Sequence, residues 1–419
     1  MAGGIAEAEL SDLLVALAHA HHVPGAQFAL CHDGQRVAVA TGEAEYGTGR
    51  PVTADLAFPI GSITKAFTAT LAMILVADGD LELDVPIGEL VPEVRGGPAA
   101  VITLRQLLSH TGGLDSGSAG AGSVRKLITQ ARLILPPGQA FSYSNTGYVL
   151  AGRLIETVTG MSWWQAIESI LLRPLGIPPA FVSSPEPAER VVAAGHSVNA
   201  DGRTRPVVQD ITLAEAFAGA LAVSATDLVT FGLMHVNGSP VLPAEYVREM
   251  REQVVDVFGL ADGWGLGLAR YDGWAGHDGT GDGTWCHLRF DPGSGTVAAL
   301  TSNGSTGAGL WNDLVHELGR RGLPIPSGAL MDVPEQTEPY PPGCVGRYLS
   351  GDTEYSIDAR LRLSIDGEPV ATIAFHEGLT FSLRDTRTGQ TLYAGRCLAS
   401  PETGAIDRIQ INGRLARRT

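Results

Sequence analysis

Lysine is nearly missing from this chain: its 419 residues hold 29 Lys and Arg against 45 Asp and Glu, and only Lys65 and Lys126 are lysine. The net charge of −16 leaves no basic surface to neutralise phosphates, so no nucleic-acid partner is expected. Long apolar runs are lacking too. No stretch approaches the roughly 20 consecutive apolar residues of a spanning helix, so no membrane partner is expected. Cysteine is sparse and scattered: Cys31, Cys286, Cys344 and Cys397 show no Cys-x-x-Cys spacing, which argues against a zinc site or a disulfide framework and for buried free thiols. His19, His21 and His22 cluster near the end of the first helical pattern, but no carboxylate or cysteine is spaced to complete a metal set. They read as helix-end histidines suited to the negative end of the helix dipole, and neither a metal nor a cofactor is expected. Residues Met1 to Leu10 carry acid where a secretory signal would carry Lys or Arg, and they lead into an amphipathic pattern at Leu10, Leu13, Leu14 and Leu17. Taken as the natural start, this beginning predicts a cytoplasmic protein.

One of the two lysines stands in an informative place. In Phe58-Pro-Ile-Gly-Ser62-Ile-Thr-Lys65 a strand-like run meets a helical one, and residues three apart on a helix share a face. Ser62 and Lys65 can therefore touch. A seryl hydroxyl is a poor nucleophile until a base takes its proton, and an amine does so only when neutral. Burial and the positive end of a helix both favour the neutral amine, while free N–H groups at the helix start favour an oxyanion beside the serine. The plain alternative is a surface serine beside a solvated lysine. Against it stands the helix that follows, with Ala66, Phe67, Leu71, Ile74 and Leu75, which is too apolar for a surface element.

Two further segments carry polar groups at loop or strand ends. Pro136 to Asn145 is rich in turn formers and leads into an apolar run from Tyr148 to Val158 with helical periodicity, which places Tyr143 and Asn145 at a loop tip. A phenol near an ammonium can relay a proton, and a carboxamide can grip an ester or amide; capping by Ser144 or Asn145 is the structural alternative. In the second segment, Thr284 to Phe290 and Thr296 to Ser302 flank an Asp-Pro-Gly-Ser-Gly turn and predict a β-hairpin. The glycines ahead of it, around His277-Asp-Gly279-Thr280, are expected to admit a ligand close to the backbone. No Gly-Lys-Ser/Thr follows them, which argues against a phosphate-binding loop. His110 lies beside Ser109, but adjacent residues do not face each other on one element, so it reads as structural.

These three elements in this order resemble the serine β-lactamase and penicillin-binding-protein superfamily, and more narrowly its class C β-lactamase-like branch of esterases, D-amino-acid peptidases and transacylases. Val23-Pro-Gly-Ala-Gln-Phe-Ala-Leu, Ile102-Thr-Leu-Arg-Gln-Leu-Leu-Ser-His-Thr-Gly-Gly113, Gly147-Tyr-Val-Leu-Ala-Gly and Gly263-Trp-Gly-Leu-Gly-Leu extend the likeness over about Leu10 to Gly322. The resemblance implies Ser62 as nucleophile, Lys65 and Tyr143 as the base and acid pair, and Asn145 as a substrate-binding residue. It also implies that His277, Gly279 and Thr280 are the third motif, with the N–H groups of Ser62 and Thr280 as oxyanion hole. A true β-lactamase has Lys-Thr-Gly there. Imidazole, with an unperturbed pKa of about 6.5, offers no permanent charge to a carboxylate, so uncharged esters or amides are expected as better substrates than β-lactams.

The implied fold is α+β: an antiparallel sheet flanked by helices with an all-helical lobe, in a catalytic domain over 1–322 with the lobe at about 62–174. A proline-rich linker over 323–342 and an all-β domain over 343–419 follow, the latter with short strands at Thr353–Ile357, Arg360–Ile365, Val370–His376, Leu379–Asp385, Thr391–Cys397 and Ile406–Ile411. This predicts a small antiparallel barrel or sandwich, contributing stability or a dimer contact or else covering one side of a cleft. The expected activity is acyl transfer through Ser62 from a small-molecule acyl donor to water or to an amine acceptor, in intracellular or natural-product metabolism. A β-lactamase, a D-amino-acid peptidase and a non-catalytic ligand sensor are the alternatives.

Overall fold

Asp33 and Gly34 turn the chain back on itself with φ of +50° and +75°, the pairing that a two-residue hairpin turn demands. Strands Gly25–His32 and Gln35–Gly42 extend from that turn in antiparallel register, with His32 opposite Gln35 and Cys31 opposite Arg36. The computed structural model describes residues 6–115, 123–186, 190–199, 201–328, 337–341, 343–386, 391–400 and 402–419. Part of the expected linker, including Pro334 and Pro342, and the glycine-rich stretch beginning at Ala119 lie outside the described residues.

The chain divides into two compact units. The first comprises Met1–Leu83, Ala151–Gln253 and Gly265–Ser327. Its antiparallel strands run in the order Gln35–Gly42, Gly25–His32, Val297–Ser302, Thr284–Phe290, Trp274–Gly281 and Ala269–Tyr271. Strand Gly25–His32 is buried along nearly its whole length, because helices cover both of its faces. Helices Glu7–Ala20 and Gly307–Arg320 place Leu10, Leu14, Leu310, Leu314 and Leu318 against Phe28, Leu30 and Leu300. Helix Ala225–Asn237 packs on the other face, so closely at Gly232 that an added Cβ would lie 2.5 Å from Val297. Among the end-of-helix histidines, His21 pairs with Asp313 at 2.7 Å.

Helix Thr64–Ala77 is buried from Thr64 to Leu75, which matches its apolar character on every side. Phe67 stacks on Phe231 with ring centroids 3.8 Å apart, and Trp163 donates its indole N–H to Thr68 at 3.1 Å. Ser62 itself lies on a 3₁₀ turn, Gly61–Ile63, that feeds this helix. The junction is held from below: Phe58 pairs with Val223, and the Ile60 N–H donates to the Leu221 carbonyl.

The second unit comprises Asp84–Leu150, Val254–Trp264 and Gly328–Thr419. Its helical part includes Leu104–Leu108, opened by a capping box between Thr103 and Gln106, and Val124–Thr129. Its remainder is a closed antiparallel barrel of eight strands. Thr353–Ile357 and Ile406–Ile411 keep the expected bounds, and the four others expected shift by a residue or two. Gly346–Ser350 and Arg414–Arg418 are two further strands, and their pairing at Tyr348 and Arg418 closes the barrel. Tyr348, Phe375, Phe381, Leu383, Ile409 and Ile411 fill the interior. All four cysteines are free and buried. No helix among the described residues is long and apolar enough to cross a membrane.

Candidate active site

The Ser62 turn leads directly into the helix that carries Lys65, whose side chain is 1% exposed. Its Nζ donates to Ser62 Oγ at 3.2 Å and to the Ala218 carbonyl at 2.9 Å. The second bond aims the amine, since Ala218 belongs to a segment anchored on the same helix through Thr68 Oγ1 and the Phe217 carbonyl. Ser62 itself is only partly covered. A buried amine one hydrogen bond from a reachable hydroxyl is the geometry of a base beside its nucleophile.

Backbone approaches so close that only glycine fits bring the third motif against this turn. An added Cβ at Gly61, whose φ is +48°, would lie 2.2 Å from the Thr280 carbonyl oxygen, and one at Gly279 would lie 1.9 Å from the Ile60 carbonyl oxygen. Thr280 is thereby pressed against the turn that holds Ser62. The glycine-rich stretch is itself a strand, Trp274–Gly281, paired with Thr284–Phe290. Its glycines admit the protein's own backbone: beside Gly279 on Ile60, Gly276 meets the Leu288 carbonyl at 1.9 Å from its would-be Cβ. That close packing is by itself a reason for glycine at these two positions.

His277 is buried, and its Nδ1 lies 2.6 Å from the Asp278 carbonyl. Burial, followed by the positive charge of Lys65, lowers its pKa to about 4, so the ring is neutral at pH 7. Behind it, Asp278 accepts two hydrogen bonds from Arg289, at 2.6 and 3.1 Å, and lies 2.8 Å from His287 Nδ1. Burial by itself would raise Asp278, but these two partners outweigh it and hold the carboxyl well below its ordinary range. Arg289, fully buried, also lies 3.8 Å above the Tyr271 ring. This network had no signature in residue spacing. Cys286, on the same hairpin, is no rival nucleophile: burial pushes its thiol up to about 12.

Tyr143 and Asn145 belong to the second unit. Asn145 opens helix Asn145–Thr159, and among the described residues nothing hydrogen-bonds its buried Oδ1. Tyr143 packs on His110, with ring centroids 4.2 Å apart, and edge-on against Trp264 at 5.9 Å. His110 does more than fill space: its Nδ1 accepts the Ser144 N–H at 3.1 Å, and its carbonyl accepts the Ser142 N–H at 2.9 Å. Its φ of +57° is uncommon for a residue with a side chain. The barrel also reaches this loop, for the Gly413 carbonyl accepts the Tyr143 N–H at 2.9 Å.

Known proteins share sequence and fold with this chain. The β-lactamase family model matches residues 10–318. The chain is 36% identical over 332 residues to penicillin-binding protein 4 of Amycolatopsis lactamdurans, covering 72% of this chain and 87% of that protein. A crystal structure of SurE matches with a TM-score of 0.87 and 39% identity over 99% of both chains. The D-amino acid amidase of Ochrobactrum anthropi SV3, in complex with L-phenylalanine amide, matches with a TM-score of 0.63 and 26% identity over 75% of this chain and 97% of that one. The chain belongs to the β-lactamase family. It is a serine β-lactamase-like hydrolase of the branch that also contains esterases and D-amino acid amidase, extended by a C-terminal eight-stranded barrel.

Proposed function

We propose that the protein forms an acyl-enzyme on Ser62 from a small uncharged ester or amide and passes the acyl group to water or to an amine. The observation that carries this reading is the buried Lys65 amine hydrogen-bonded to Ser62 Oγ. In its neutral form Lys65 takes the hydroxyl proton as Oγ attacks the carbonyl carbon. The oxyanion is held by the N–H groups of Ser62 and Thr280. As the carbon–leaving-group bond breaks, the proton passes through the Tyr143 hydroxyl to the departing oxygen or nitrogen. Water or an amine then attacks the ester on Ser62, gives its proton to the same pair, and frees the serine. Asn145, with its buried Oδ1 open to a donor, accepts an N–H of the acyl group.

Neutral His277 sets the preference between substrates. No fixed positive charge stands at the third motif to attract the carboxylate of a penicillin, so β-lactams are poor substrates. SurE has been crystallised with D-Leu, which supports an acyl group ending in a D-amino acid; the Ochrobactrum D-amino acid amidase has been crystallised with phenylalanine of both configurations and supports an aminoacyl group. The test pairs D- and L-aminoacyl p-nitrophenyl esters with nitrocefin, each with and without an added amine. The D-ester is expected to give an adduct of Ser62 by intact mass and at least about tenfold higher kcat/KM than the L-ester. Amide product on adding the amine identifies the transferase, and hydrolysis alone the hydrolase. Nitrocefin turnover equal to that of the ester contradicts the reading of His277.

A further inference from the structure

Inside the second unit the closed barrel is hydrogen-bonded to the Tyr143 loop. Three consecutive residues of the Tyr143 loop are bonded to one barrel hairpin, the turn between strands Ile406–Ile411 and Arg414–Arg418. Gln410 donates its side-chain amide to the Phe141 carbonyl at 3.1 Å. The Leu415 N–H donates to Ser142 Oγ at 3.4 Å, and the Tyr143 N–H donates to the Gly413 carbonyl at 2.9 Å. Gln410 is 1% exposed and is itself held on its other side, for its Oε1 accepts from Arg396 at 2.8 Å. Arg396 in turn lies 4.9 Å above the Phe258 ring. The turn reaches the loop by its shape. Asn412 and Gly413 have φ of +48° and +73°, the two-residue hairpin geometry, and this puts Gly413 face to face with the loop. A Cβ added there would lie 3.0 Å from Phe141, 3.2 Å from Leu260 and 3.7 Å from the Tyr143 Cβ.

We infer that this barrel hairpin is a positioning device for Tyr143, with Gln410 and Gly413 as positioning residues of the acyl-transfer reaction. The physical argument is one of backbone accounting. Loop polar groups buried with the Tyr143 ring must find partners, and each bond supplied by the barrel removes a direction in which the loop could drift. A shift of about 1 Å at a group that moves a proton costs up to about 100-fold in rate, which a stability element would not explain. The inference rests on the catalytic reading of Tyr143 given above.

The experiment uses the full-length protein and four variants: Gln410→Leu, Gly413→Ala, Tyr143→Phe, and Ser382→Ala. The last removes the bond at 3.0 Å between Ser382 and His376, inside the barrel and outside this hairpin. For a p-nitrophenyl ester, Gln410→Leu and Gly413→Ala are expected to lower kcat by about 10- to 100-fold with KM changed by less than about threefold, and to distort the pH–rate profile in the same limb as Tyr143→Phe. Ser382→Ala is expected to lower the melting temperature alone. Wild-type kcat and pH profile in Gln410→Leu, with Tyr143→Phe impaired, overturn the positioning inference. Wild-type kcat in Tyr143→Phe overturns the reading on which it rests, and the inference with it.

Discussion

The Ser62 turn and the Tyr143 loop are held in opposite ways. Ser62 and Lys65 are three residues apart, and the contact between them follows from one turn of backbone, while backbone packed against Gly61 and Gly279 and the Ala218 carbonyl lock it from far along the chain. The Tyr143 loop is held by groups far along the chain: His110, 34 residues before the Ser144 amide it accepts, and Gln410, 269 residues beyond the Phe141 carbonyl it serves. The first arrangement starts from a local pair that distant backbone clamps at close range, so it tolerates little change at a few positions. The second is built from tertiary contacts, so changes well outside the loop should disturb it.

The contrast can be broken first at the nucleophile turn. Lys65→Ala should cut the rate of acylation by about 100- to 10,000-fold, as for loss of a positioned base, while the protein still folds; stopped-flow acylation with a p-nitrophenyl ester measures it. Retention of the wild-type rate would remove Lys65 from the mechanism. Gly61→Ala is the local counterpart of Gly413→Ala. Its Cβ would meet the Thr280 carbonyl at 2.2 Å, a backbone atom that no side chain can move away from. We expect at least about a 100-fold loss of kcat, larger than that from Gly413→Ala, because Thr280, the proposed oxyanion donor, is displaced. Equal losses in the two variants would erase the distinction between the regions.

Stability sharpens the same comparison. Asp278→Asn leaves the fully buried Arg289 without its counter-charge and should destabilise the protein by about 3–5 kcal/mol, read from urea denaturation. A more gradual effect is set by pH. Burial, followed by Lys65, lowers His277 to about 4; burial, followed by Arg251, lowers His235 to about 3 from an ordinary 6.5. Between these values and 6.5 the unfolded chain binds more protons than the folded one, so stability is complete above 6.5 and lost as pH falls. Each histidine contributes a slope of up to about 1.4 kcal/mol per pH unit. Urea midpoints from pH 7 down to pH 4.5 measure this, and His235→Gln should flatten the slope. A midpoint independent of pH over that range would contradict the neutral buried histidines.

What could be read from the chain beforehand follows the same division. Ser62 with Lys65 was legible because helical spacing alone makes them neighbours, and because lysine is so scarce. The hairpin at 284–302 was legible from alternation around Asp-Pro-Gly-Ser-Gly, and six of the barrel strands from similar patterns. Strand Arg414–Arg418 escaped notice since three of its five residues are arginine, and only Leu415 and Ala416 turn into the protein. Gly346–Ser350 was hidden by a start with glycine and by the buried Ser350. Strand Trp274–Gly281 was not assigned as a strand because its glycines mark close packing of backbone on backbone, which composition does not distinguish from a turn. The support given by His110 and Gln410 could not be read at all: a side chain bonding a backbone group far along the chain leaves no periodicity.

The most direct measurement is the intact mass of the protein after treatment with a fluorophosphonate, for the wild type and for Ser62→Ala in parallel with ester turnover. A single adduct in the wild type, mapped to the peptide holding Ser62, with neither adduct nor turnover in Ser62→Ala, is the result predicted. A Ser62→Ala protein that is still labelled and still hydrolyses the ester would contradict the assignment of Ser62 as the nucleophile.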